Sequence, residues 1–310
     1  MDRISAVINH QKYFAVFPMV CADHGAYLLN LKFKEVAEDG EKLAHVLQYT
    51  YELYGYDMVL VFSDPYVEAQ ALGCPVELDP YPALIGSATV HSVDRTEEII
   101  HAADILRSSI DVPIFVSIKG PFTLAAFLDG IEHYLKIVLK KETEASQLLQ
   151  EALQYQLGYL ERILSVGVNI MIGDPLASSS VISPAIFLKY AFTGLKTMVA
   201  KAKTSGAIVG VHICGDVGAI SEYLDDLDAD ILSIEGINIR TETLKMGGVG
   251  TDTILNGDLK CMRSEVENAF KNEFIILSTA CDVPPHTEPA NIKAMLRFAR
   301  ECGREYGVQK

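Results

Sequence analysis

Ile208-Val209-Gly210-Val211-His212-Ile213-Cys214-Gly215-Asp216 is an apolar, largely β-branched run that begins after Gly206 and ends in a Gly-Asp pair. It reads as a buried strand running into a loop. Side chains alternate along a strand, so His212 and Cys214 point the same way and can meet at one point in space. A soft divalent metal accepts nitrogen and sulfur ligands in that arrangement. The same two residues also suit a core in which they are merely neighbours, and two donors do not close a tetrahedral site. The pattern around the stretch therefore has to supply the rest.

The pattern recurs along the chain. Apolar strand candidates at 14–20, 57–62, 113–118, 168–172, 207–213, 230–234, 253–255 and 274–278 alternate with helical stretches. Helices are expected at 36–54, at 94–109 (Asp94 as cap, Glu97 completing a capping box), at 122–128 and at 143–166. Others follow at 185–203 (opened by Ser183-Pro184), 216–227, 240–246, 260–271 and 288–301. Strands that are apolar throughout, joined by helical crossovers, describe a parallel sheet covered on both faces. Eight such units in 310 residues predict an α/β fold, a single (β/α)8 TIM barrel over 1–310 with an N-terminal helical extension at 1–13. An open doubly wound sheet is the alternative, but no glycine-rich phosphate fingerprint follows the first strand.

Composition narrows the function. A formal charge of −15 disfavours nucleic acid and other polyanions as partners. No apolar run has the length of a membrane span, and the charged first dozen residues do not read as a signal peptide. Cysteines 21, 74, 214, 261, 281 and 302 lack the spacing of a disulfide framework, which suggests reduced thiols in the cytoplasm.

In a barrel the C-terminal strand ends open onto one face, where active sites form. Those ends carry Asp64, Lys119, Asp174, His212 with Cys214, Glu235, Asp258, and Cys281 with Asp282. The fifth and eighth strands stand across the mouth from each other, so Cys281 can join His212 and Cys214. Three protein ligands with one position left for substrate is the pattern of a catalytic zinc, unless Glu235 or Asp174 seals the site as a fourth. Either carboxylate is also a catalytic candidate. Asp64, Lys119 and Met19 are the substrate-binding candidates at the mouth. Cys21 can approach it; Cys74, Cys261 and Cys302 read as packing. His24, His91 and His286 stand in loops, with surface or hydrogen-bonding roles.

Several stretches together resemble the uroporphyrinogen decarboxylase superfamily: Phe62-Ser-Asp-Pro65 with Glu68-Ala-Gln-Ala-Leu-Gly73, Gly120-Pro-Phe-Thr-Leu124, Gly173-Asp-Pro175 with Ile182-Ser-Pro184, His212-Ile-Cys-Gly-Asp216, and Ser278-Thr-Ala-Cys-Asp-Val-Pro-Pro285 with Asn291. Within it the chain looks most like the corrinoid-protein:thiol methyltransferases. That resemblance implies zinc on His212, Cys214 and Cys281. It also implies a methylated corrinoid protein as partner, with the corrinoid (methylcobalamin type) carried by that partner, and a small thiol such as coenzyme M as methyl acceptor. Zinc would convert the thiol to its thiolate, the nucleophile. Glu235 would take the thiol proton or hold the ligand position before substrate arrives, and Asp174 would orient substrate or a ligand.

The decarboxylase branch fits less well. Its substrate bears eight carboxylates, yet the loop 19–27 contains no arginine, and only Arg3, Arg95 and Arg107 precede Arg162. Burying unpaired carboxylates is costly. A sulfonate acceptor also wants a cation, and Lys119 is the basic residue at the mouth. Another thiol, the reverse direction of transfer, and a zinc- or thiol-binding protein without catalysis remain as alternatives.

Overall fold

A computed structural model describes residues 2–11, 13–89 and 93–305. Eight parallel strands form a nearly closed ring: β1 (Ala15–Phe17), β2 (Val59–Val61), β3 (Ile114–Lys119), β4 (Asn169–Gly173), β5 (Val209–Ile213), β6 (Ile231–Ile234), β7 (Leu244–Val249) and β8 (Phe274–Thr279). From β2 to β8 each pairs with its neighbour in chain order, and β8 pairs with β1. Helices surround the ring, so this is the expected (β/α)8 barrel. Between β1 and β2 the seam is held by one backbone bond, Asp57 N–H to Val16 O (2.9 Å), and by the Asp57 carboxylate accepting from Val16 N (2.7 Å). The N-terminal helix Arg3–Ile8 buries Ile4 and Val7 at this side, and Arg3 pairs with Asp57 at 3.6 Å.

The strands are short and almost wholly buried because both faces are covered, outside by helices and inside by side chains of the opposite strands. Period-2 alternation then fixes the inner layers. Leu60, Ser117 and Met171 lie one step below Phe62, Lys119, Gly173 and His212, and all of them border one cavity.

The seventh strand corrects the expectation. Residues Thr251–Asn256 form a helix, and β7 occupies Leu244–Val249, overlapping the short helix expected at 240–246. Lys245 and the pair Gly247-Gly248 hide the strand, since glycine is depleted in strands. Here Gly247 has φ of +142°, and a Cβ on it would sit 2.4 Å from Ile234 O, so the ring closes at this point only around a glycine. Asp258 consequently marks no strand end; it caps the helix Leu259–Lys271, accepting from Cys261 N at 2.9 Å.

Smaller departures have local causes. The helix expected at 36–54 is two, Phe33–Ala37 and Gly40–Tyr54, because Asp39 caps the second by accepting from Lys42 N. Residues Ile131–Lys140 form an unanticipated helix that buries Tyr134, Ile137 and Val138. Asp94 accepts from Thr96 N as expected of a cap, but Glu97 pairs with Arg162 instead of completing a box. Among the described residues no helix is long and apolar enough to cross a membrane.

Candidate metal centre

His212 is the penultimate residue of β5, and Cys214 follows it on the same side just beyond the strand. Cys281 follows β8 from across the mouth. The donor atoms converge: His212 Nε2 lies 2.9 Å from Cys214 Sγ and 4.0 Å from Cys281 Sγ, and the two sulfurs are 3.6 Å apart. All three atoms fall within 4.8 Å of one another, and among the described residues no other His, Cys, Asp or Glu joins the group. A tetrahedral zinc with Zn–S of about 2.3 Å and Zn–N of about 2.0 Å needs S···S and N···S separations of roughly 3.5–3.8 Å. The observed distances bracket those values. The residues therefore fit the ion, and three donors leave one tetrahedral position for a substrate atom.

The surroundings aim the donors. His212 Nδ1 is 2.9 Å from Ser233 Oγ on the neighbouring strand, where His212 and Ser233 are register partners. That bond turns Nε2 toward the sulfurs, as outer partners of metal-binding histidines do. Ser233→Ala should therefore lower zinc affinity by about 10–100-fold with little loss of fold stability. A chelator competition titration measures this, and affinity unchanged within threefold would remove Ser233 from the site.

Loop anchors hold the two cysteines. Gly215 takes φ of +77°, and a Cβ there would meet Ser180 Oγ at 2.9 Å, so the chain turns sharply after Cys214. Past Cys281, Val283 N donates to Met19 O (2.9 Å), and His24 Nδ1–H donates to Pro285 O (3.0 Å) while Nε2 accepts from Tyr54 (2.7 Å). His24 is thus a fully satisfied structural residue. His286 bonds Tyr81 at the surface, and His91 lies outside the described residues.

The two thiols are hydrogen-bonded to each other across 3.6 Å. The hydrogen bond from Cys281 lowers the Cys214 thiol, and the same bond, with burial, raises Cys281. Beside them Asp282 lines the cavity, its carboxyl raised by burial. Cys21 does approach the mouth, next to Asp282, and is raised by burial. Asp23 is pushed up to about 7, chiefly by burial and then by Asp282. Asp282 was legible as a strand-end acid, but its place in the cavity follows only from the turn after Cys281.

The cavity measures about 210 Å³. Lys119 and Met19 line it as expected. Lys119 is buried, its Nζ is 4.8 Å from the centre of the Phe62 ring, and among the described residues it has no ion-pair partner. Three other candidates are placed elsewhere. Asp64 is locked in a buried ion pair with Arg95 (2.6 and 3.2 Å) and also accepts from Ser63 and Tyr66 N, so it holds the loop after β2 and does not line the cavity. Glu235 is exposed and accepts from Gly215 N at 2.7 Å, which fastens the Cys214 loop from outside the donor group.

Asp174 lies in the wall. Its Oδ1 accepts from Thr123 N (2.8 Å) and Thr123 Oγ1 (2.5 Å), pinning the start of helix Pro121–Asp129, while Oδ2 has no partner among the described residues. Burial pushes its pKa to about 6 from the usual 3.8. Between those values the folded chain binds more protons than the unfolded one, so this group's contribution weakens stability as pH rises toward 6. The cost above pH 6 is about 3 kcal/mol. Asp174→Asn keeps the bonds to Thr123 and should be neutral or stabilising at pH 8, relative to wild type, with that pH dependence removed. Denaturant melts at pH 4 and pH 8 check this; equal destabilisation at both would show that the carboxylate is needed ionised.

Comparison with known proteins adds independent findings. The sequence pattern of uroporphyrinogen decarboxylase (URO-D) matches residues 2–302. A methylcobamide:CoM methyltransferase (MtaA) of Methanosarcina barkeri is 26% identical over 290 residues, covering 84% of this chain and 85% of that protein. A methylated-thiol–coenzyme M methyltransferase of Methanosarcina mazei is 24% identical over 298 residues, covering 88% and 80%. A solved structure of a methyltransferase from Methanosarcina mazei superposes with a TM-score of 0.87 at 23% identity, covering 96% of this chain and 97% of that one, which shows the shared fold.

Proposed function

The chain belongs to the uroporphyrinogen decarboxylase (URO-D) family, and on that premise we propose that it is a zinc-dependent methyltransferase moving a methyl group between a corrinoid protein and a small thiol. The single observation that carries the reading is the convergence of His212 Nε2, Cys214 Sγ and Cys281 Sγ within 4.8 Å. The relatives named as CoM methyltransferases support the reaction class. The decarboxylase alternative is disfavoured by the arginine-free segment 19–27, most of which lies in the helix Ala22–Leu28.

Zinc held by these three residues supplies Lewis acidity, lowering the pKa of an incoming thiol so that it is a thiolate at neutral pH. The chain's own residues do the rest. Ser233 fixes the His212 ring, and Glu235 and the Gly215 turn fix the Cys214 loop. The thiol protons of Cys214 and Cys281 would leave as the site loads, which makes metal binding pH-dependent. Met19, Phe62 and Met171 wall the cavity with apolar surface and exclude water. Lys119 offers a buried cation to an anionic end of the acceptor, as a sulfonate would require. In the transfer the thiol sulfur forms a bond to the methyl carbon, the cobalt–carbon bond breaks, and its electron pair stays on cobalt in the partner. Reduced thiols make the cytoplasm the matching compartment.

The test is demethylation of methylcobalamin by the zinc-loaded protein with a panel of thiols that includes 2-mercaptoethanesulfonate. Thiol-dependent loss of methylcobalamin with formation of a thioether is expected. Decarboxylation of uroporphyrinogen without any thiol methylation would overturn the reading.

A further inference from the structure

Between β6 and β7 the chain lacks the helix that a (β/α)8 unit normally places over the barrel wall; residues 235–243 run as an irregular segment instead. The segment is nevertheless fixed. The Asp225 carboxylate accepts from Thr241 Oγ1, from Glu242 N (3.1 Å), and from Thr243 N (3.1 Å) and Oγ1 (2.8 Å). In the space left by the missing helix lies a cavity of about 450 Å³, near the N-terminal ends of β7 and β8 and so at the end of the barrel opposite His212.

Three cations border it: Arg240, Lys245 and Lys271. Lys245 projects from β7 and is only 5% exposed, its ammonium over the Phe274 ring at 5.3 Å from the ring centre. Its ammonium has one hydrogen bond, to Ile239 O at 3.2 Å, and stands 4.0 Å from Glu273, whose side chain is 84% exposed and solvated. Among the described residues Arg240 and Lys271 have no acidic partner within ion-pair distance. A buried ammonium with spare donors and two unpaired cations around one cavity is unexpected in a chain carrying −15. Glu242 and Glu273 also border the space, so three cations against two carboxylates leave a net charge of +1, which suits a single anionic group and disfavours a polyanion. Ile237 and Ile239 also line the cavity and give it apolar surface able to cover a small organic body.

We infer that this cavity is a binding site for a phosphate monoester, its phosphate held by Arg240, Lys245 and Lys271 and its organic part lying on Ile237 and Ile239. Planar guanidinium plus two ammonium groups is a donor set suited to tetrahedral oxyanions. The site is independent of the chemistry at the mouth.

Isothermal titration of the full chain at low salt with glycerol 3-phosphate, and separately with inorganic phosphate, tests the inference. One saturable site per chain is expected, weakened at least tenfold in Arg240→Ala/Lys271→Ala, whose exposed side chains can be removed without disturbing the core. Binding must persist in Lys119→Met, which removes the cation at the mouth. Tighter binding of the ester supports the role of the two isoleucines, whereas tighter binding of free phosphate assigns the same cations to the inorganic ion. Absence of saturable binding by either probe, undiminished affinity in the double variant, or loss of binding in Lys119→Met would each overturn it.

Discussion

Cys214→Ala is expected to leave a folded protein that no longer retains zinc and no longer methylates thiols. Cys214 is half-buried at the cavity and makes no core contact that alanine would abandon. Two effects add. Removing one of three donors should weaken metal binding by more than the 10–100-fold typical of losing an outer-shell partner. An acceptor thiol with a pKa of about 8.5 is only about 3% thiolate at pH 7, so losing metal activation costs roughly 30-fold in rate through protonation alone. Metal content after dialysis, thermal melting and methylcobalamin turnover measured on one sample separate these outcomes. Retained zinc with full turnover would remove Cys214 from the centre; lost turnover with lost folding would assign it to stability.

The second large effect concerns Asp64 and Arg95. Their pair is bidentate and almost wholly buried, with side-chain exposures of 0% and 2%. Breaking a buried pair by removing one partner leaves an uncompensated charge, at a cost of about 3–5 kcal/mol. Arg95→Leu should lose that much, and more of the loop after β2 would loosen because Arg95 also donates to Gln70 Oε1 (2.6 Å) and Ala37 O (3.3 Å). Asp64→Leu/Arg95→Leu should recover most of the loss, since no isolated charge remains. Urea unfolding of the two single variants and the double variant gives the cycle. If Asp64 instead binds substrate, its replacement changes KM and leaves the midpoint of unfolding where it was.

These cases mark where the sequence is legible. The barrel follows from apolar strands buried on both faces, a signal carried by the alternation of eight apolar runs with helical stretches. His212 and Cys214 share a face because strand periodicity is two, and Cys281 reaches them because the fifth and eighth strands stand across a ring. β7 was hidden because its residues serve the ring rather than a strand pattern: Lys245 faces the outer cavity, and Gly247 lets the backbone approach Ile234 O. The roles of Asp64 and Asp174 depend on Arg95 and Thr123, which lie 31 and 51 positions away. A carboxylate at a strand end reads the same whether it faces the mouth or a helix behind it. Glu235 differs only in direction, since its side chain reaches back to Gly215 N outside the donor group.

The most direct measurement is the zinc K-edge absorption spectrum of the loaded protein, with and without acceptor thiol. The expected first shell has two sulfurs and one nitrogen from the protein, completed by a light atom, and gains a third sulfur when the thiol is added. A shell unchanged by thiol, or one closed by a fourth protein ligand from the outset, would contradict a centre built to receive a substrate sulfur.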